Sequence, residues 1–157
     1  MHKDLTPQKL RQLAETALAT YLLRISDATQ FSADLAPRLV GCSCDPVQLE
    51  MAFDTKPWMT NPTGVLHGGV VATFLDNAMG LSCSCLCDCR HTPTISMTVH
   101  YARPTPLNTT IHIKTQMVMF GRTSSQLSAQ LYLPQEPDRV LAFASGVYST
   151  KPTPSQP

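Results

Sequence analysis

From Gly69 to about Cys87 the apolar residues recur with the period of a helix, and the only charged residue in the run is Asp76. Advancing about 100° per residue divides the run into two arcs. Val70, Val71, Phe74, Leu75, Ala78, Met79, Leu81 and Leu86 form an apolar arc; Ala72, Thr73, Asp76, Asn77, Gly80 and Ser84 form the other, with Asp76 near its middle. A helix facing water would carry Lys or Glu there. Small side chains instead let another backbone, a substrate or a second subunit come close to Asp76.

The remaining elements surround this helix. Thr6 reads as an N-cap with Pro7 at the first helical position, and Leu10, Leu13, Ala14, Ala17, Leu18, Tyr21, Leu22 and Ile25 follow at helical spacing. Leu39–Cys44 and Gln48–Asp54 read as a hairpin around Asp45-Pro46. Thr55–Gly64 carries the turn chemistry of an ordered loop. Ile95, Met97, Val99 and Tyr101 alternate with Thr94, Ser96, Thr98 and His100, the pattern of a half-buried strand. Three further strands are expected near 109–120, 123–133 and 139–150. Helix, two strands, long helix and four strands indicate an α+β chain, with an antiparallel sheet packed on the central helix. The expected organisation is an N-terminal helix and connection over 1–36, one domain over 37–150 and a frayed tail over 151–157.

A chain of 157 residues suffices for one core. Charged residues make up 15%, against roughly 25% in an average globular domain, so extensive subunit contacts are expected. A net charge of +1 supplies no field suited to nucleic acid or an acidic membrane. No segment reads as the roughly 18 apolar residues that span a membrane, and the first seven residues lack the apolar run of a signal peptide. Six cysteines are therefore expected as reduced thiols in a cytoplasmic protein. Cys83, Cys85, Cys87 and Cys89 lack C-x-x-C spacing and read as small packing residues, with no metal expected. Neither a G-x-S-x-G nucleophile elbow nor a phosphate-binding P-loop is present.

Chemistry concentrates between Asn61 and Asp76. Gly68 and Gly69 lack a Cβ, so a ligand can approach the unpaired N–H groups that open a helix, where the macrodipole favours developing negative charge. Asp76 would supply a base. His67 reads as a positioning residue or a cap, and Asn61 in Asn-Pro-Thr-Gly is also an ordinary turn residue.

The run Asn61, Gly64, His67, Gly68, Gly69 followed by Asp76 resembles the N-x-x-G-x-x-H-G-G…D signature of the hotdog-fold acyl-CoA thioesterases, of the phenylacetyl-CoA (PaaI-like) and 4-hydroxybenzoyl-CoA type. The resemblance implies a long helix wrapped by a curved antiparallel sheet, assembled as a homodimer or a dimer of dimers with active sites between subunits. It implies that the Gly68 N–H binds the thioester oxygen with help from Asn61, that Asp76 comes from the facing subunit, and that Thr94, standing where the family often has Ser, orients water. Coenzyme A, part of the substrate rather than a cofactor, is expected at Arg122, Thr123 and Gly69, with Arg103 a weaker candidate and Trp58 or Met59 lining an acyl pocket. The activity implied is hydrolysis of an aryl or medium- to long-chain acyl-CoA to free acid and CoA. A non-catalytic acyl-CoA sensor, a hotdog dehydratase or hydratase, and a cysteine-bound metal protein are the alternatives.

Overall fold

Thr6 and Pro7 open the first helix as their residue types dictate. In the computed structural model, which describes residues 5–26, 31–87 and 91–151, helix α1 spans Pro7–Arg24 and the Thr6 hydroxyl accepts the Lys9 N–H at 3.2 Å. Strands β1 (Arg38–Cys44) and β2 (Val47–Asp54) form the expected hairpin, and a short 3₁₀ turn, Pro57–Met59, sits in the loop that follows. Helix α2 covers Gly68–Leu86. Strands β3 (Thr94–Tyr101), β4 (Thr110–Phe120), β5 (Ser124–Tyr132) and β6 (Ala142–Ser149) complete the chain. The last strand begins later than its sequence pattern suggests, because Arg139 closes a turn onto the Glu136 carbonyl.

All six strands pair antiparallel in the order β1-β2-β4-β5-β6-β3. Helix α2 leaves at one edge of this order, crosses the sheet, and delivers β3 to the opposite edge. Its apolar arc lies on the inner face, where Phe74, Leu75, Ala78 and Met79 are fully buried with Phe53, Ile111, Ile113 and Leu131. Burial of Phe74, Leu75 and Met79 contributes about 2 kcal/mol each. Cys83, Cys85 and Cys87 are buried in the same core. Bonding to Cys87 and burial push the Cys83 thiol up, so it stays protonated. Cys89 and the tail beyond Lys151 lie outside the described residues.

Two expectations need correction. Helix α2, 19 residues with a mean hydropathy of 1.3, is long and apolar enough to cross a membrane by length and composition. Its apolar character is accounted for by packing, since the sheet covers one side and α1 part of the other. The alternation in β3 is also broken: pairing with β6 shifts register between Thr94 and Ser96. Ile95 is the extra residue of a bulge and is 61% exposed, while Thr94 turns toward α2.

At the other edge Arg38 donates to both Asp54 oxygens at 2.6 and 2.8 Å, and the Thr110 hydroxyl adds a bond at 2.8 Å. The guanidinium holds the Asp54 carboxyl down at about 2, against 3.8 ordinarily, with burial opposing it. A depressed carboxyl contributes stability that is complete above its unfolded value and lost as pH falls through its folded value, here between about pH 4 and pH 2. Both side chains are 53% exposed, so solvent screens the pair and the effect is small. The urea midpoint of Asp54→Asn is expected to fall less than that of the wild type across this window. Parallel falls would show that the pair contributes nothing.

Candidate active site

His67 occupies the N-cap of α2 in an extended conformation (φ −62°, ψ 134°), and its Nδ1 accepts the Gly69 N–H at 3.0 Å. The cap separates the roles of the two glycines. Gly69's N–H is already bonded, and a Cβ there would lie 3.2 Å from His67 Nδ1, so Gly69 makes room for the cap. Gly68, as the first helical residue, has no intrahelical acceptor, and its N–H has no partner among the described residues. Tyr101, at the end of β3, donates to the Gly68 carbonyl at 3.1 Å, fixing the peptide that follows.

Asn61 works first as a loop clasp. Its Oδ1 accepts the Thr63 N–H at 2.9 Å, the Thr63 hydroxyl at 2.8 Å and the Val65 N–H at 3.2 Å, which leaves Nδ2 to donate. Gly64 has φ 83° in this tight loop, a conformation that glycine adopts without strain. The loop joins the helix start through the bond from His67 N–H to the Met59 carbonyl. Met59 is buried beneath it, whereas Trp58 is half-exposed and packs edge-on against Phe31.

Asp76 lies two turns into α2 and is held by two hydroxyls. Thr94 donates to its Oδ1 at 2.7 Å and Tyr148 donates to the same oxygen at 2.9 Å. Oδ2 has no partner among the described residues. Tyr148 is fully buried. Burial, with the Asp76 carboxylate next to it, pushes its hydroxyl up, so it stays protonated and donates. The ring lies over Gly146 and beside Gly80: a Cβ at Gly146 would come within 2.8 Å of it. Sequence reasoning missed Tyr148, although a tyrosine at an inward position of a core strand needs a partner for its hydroxyl.

Gly68 and Asp76 are eight residues apart on one helix, about 12 Å at 1.5 Å per residue. Arg122 and Thr123 sit in the β4–β5 turn at the Thr94 end of the sheet, since Ser125 pairs with Tyr148 and Tyr148 with Thr94. Arg122 is exposed and without an anionic partner among the described residues. Gly121 is required in this turn, because a Cβ would lie 2.4 Å from the Ser124 carbonyl oxygen. Arg103, by contrast, is bonded to the Val140 carbonyl at 2.6 Å. Among the described residues no three His, Cys, Asp or Glu side chains gather as a metal site.

The family model described as Thioesterase superfamily matches residues 63–138, just under half of the chain. The acyl-coenzyme A thioesterase THEM4 of Xenopus laevis is 32% identical over 65 residues, which is 41% of this chain and 28% of that protein. The chain thus matches well under half the length of that relative. Among solved structures, thioesterase superfamily member 2 of zebra fish superposes with a TM-score of 0.70 at 18% identity, covering 94% of this chain and 99% of the other. A Streptococcus mutans protein bound to acetyl-CoA gives 0.63 at 18% identity, covering 72% and 86%. The fold is the hotdog fold, with an N-terminal helix added.

Proposed function

We propose that this chain is an acyl-CoA thioesterase whose active site is assembled from two subunits. One observation carries the reading. Among the described residues the Gly68 N–H and one Asp76 carboxylate oxygen have no partner, yet about 12 Å of helix separates them, so one thioester carbon cannot meet both within a single chain. A second copy resolves this by bringing its Asp76 to the first copy's Gly68. Edge strand β3 supports such an assembly: its outer side pairs with no strand among the described residues, and Ile95 and Tyr101 are 61% and 55% exposed. Sedimentation is expected to show a dimer or a dimer of dimers.

In the proposed reaction the thioester oxygen accepts the Gly68 N–H, with the Asn61 Nδ2 as a second donor. Asp76 of the facing subunit removes a proton from water through Oδ2 as the water attacks the carbonyl carbon. Charge then develops on the oxygen, where the helix N-terminus and the preorganised donor stabilise it. The tetrahedral intermediate expels CoA as a thiolate, a leaving group that makes little demand on a general acid. Thr94 and Tyr148 hold Oδ1 so that Oδ2 faces the water. Arg122 is proposed to meet the phosphates of CoA. No metal or other cofactor is required, and activity is expected to survive dialysis against a chelator.

A panel of acyl-CoAs, with products separated by chromatography, tests the hydrolase reading. Release of free acid supports it, and binding without turnover would favour a sensor. Tyr148→Phe keeps the ring and removes the hydroxyl that positions Asp76. It is expected to lower kcat about tenfold with KM unchanged, because a carboxylate held by Thr94 alone is aimed less well at the water. An unchanged kcat would remove Tyr148 from the mechanism.

A further inference from the structure

A cavity of about 200 Å³ opens beside Asp76, bounded by α1, α2 and the segment leading into β3. It is smaller than the roughly 300–1,000 Å³ of a drug-sized ligand site and suits a short acyl group. Its lining is mainly apolar but carries polar groups at a few positions: Ala17, Leu81 and Pro93 border it together with Tyr21, Arg24, Asn77 and His91. Tyr21 and Asn77 bond to each other at 2.5 Å, which ties α1 to the Asp76 side of α2.

Arg24, nearly one turn beyond Tyr21 on α1, lines the same cavity. It has no anionic partner among the described residues, and neither does His91, which borders the same cavity. A place in the last turn of α1 explains a cation near the helix C-terminus, but not a second potential cation bordering the same cavity. Among the described residues Asp76 is the only carboxylate in the lining, and it is already held by Thr94 and Tyr148.

We propose that this cavity receives the acyl group and selects short acyl chains ending in a carboxylate, bound by the forked guanidinium of Arg24 with His91 alongside. This rests on the hydrolase reading above and adds the substrate class to it. The terminal carboxylate reaches Arg24 while the thioester carbon lies at Asp76.

The test compares adipyl-CoA with hexanoyl-CoA, which share a six-carbon acyl chain and differ in the terminal carboxylate. Wild type is expected to favour adipyl-CoA by about tenfold in kcat/KM, the discrimination of one charge-assisted contact. Arg24→Gln is expected to bring the ratio close to one. The ratio is internal to each preparation, so a partly unfolded variant still reports it. A wild-type preference for hexanoyl-CoA, equal rates, or a ratio unchanged in Arg24→Gln would overturn the proposal. If neither thioester is cleaved, the hydrolase reading is decided by the wider acyl-CoA panel and calorimetric affinity decides the pocket: adipyl-CoA about tenfold tighter sustains it, and equal affinities overturn it.

Discussion

Asp76→Asn is expected to lower kcat for a good acyl-CoA substrate by about a thousandfold, within the range for loss of a positioned general base. The amide is nearly isosteric with the carboxylate. Its oxygen can still accept the Thr94 and Tyr148 hydroxyls that hold Oδ1 in the wild type, so the surrounding packing is retained. What disappears is the charge and the basic second oxygen. KM is expected to change little, because in the proposed reaction Asp76 acts on the attacking water rather than on CoA. Free acid should be measured directly by chromatography, since thiol-reactive dyes would also report the chain's six cysteines. Activity close to wild type would place the base elsewhere and leave the Thr94 and Tyr148 bonds as packing.

The parts of this molecule that periodicity governs were legible in the sequence. Helix α2 starts at the diglycine and keeps its two arcs, and the alternating segments became strands within a few residues. Three features that position the site were not legible, each because it depends on contacts distant along the chain. The bulge at Ile95 depends on register against β6, and without it Thr94 would share a face with Ser96, away from Asp76. Tyr148 lies 72 positions from Asp76, and its place over Gly146 emerges only when β6 and α2 pack. The cover over the small-residue arc is in part α1, through Tyr21 and Asn77, where the pattern left substrate, backbone and subunit equally open. The glycine pair shows the opposite case. Local chemistry indicated two available N–H groups, and a local bond, His67 Nδ1 to Gly69 N–H, removes one of them.

Because that bond leaves Gly68 as the donor, the oxyanion hypothesis can be tested at a single backbone atom. Gly68→Pro replaces the N–H by a ring carbon and so removes the donor. Proline is well tolerated at the first position of a helix, where the N–H has no intrahelical acceptor. The residue before it must be extended, and His67 already is, at φ −62° and ψ 134°. A Cβ at Gly68 would lie 3.5 Å from the Tyr101 ring, an ordinary contact. Folding and thermal stability are therefore expected to survive, while kcat falls by about 10²–10³, the usual effect of losing one oxyanion donor. Mixing then separates a composite site from one within a single chain. Subunits carrying Gly68→Pro, refolded together with an equal amount of Asp76→Asn, should form mixed dimers in which one site combines an intact Gly68 with an intact Asp76. With random pairing half the dimers are mixed and each has one good site, so activity should recover to about a quarter of wild type from two nearly inactive parents. A site contained in one chain gives no recovery, because every chain in the mixture is damaged.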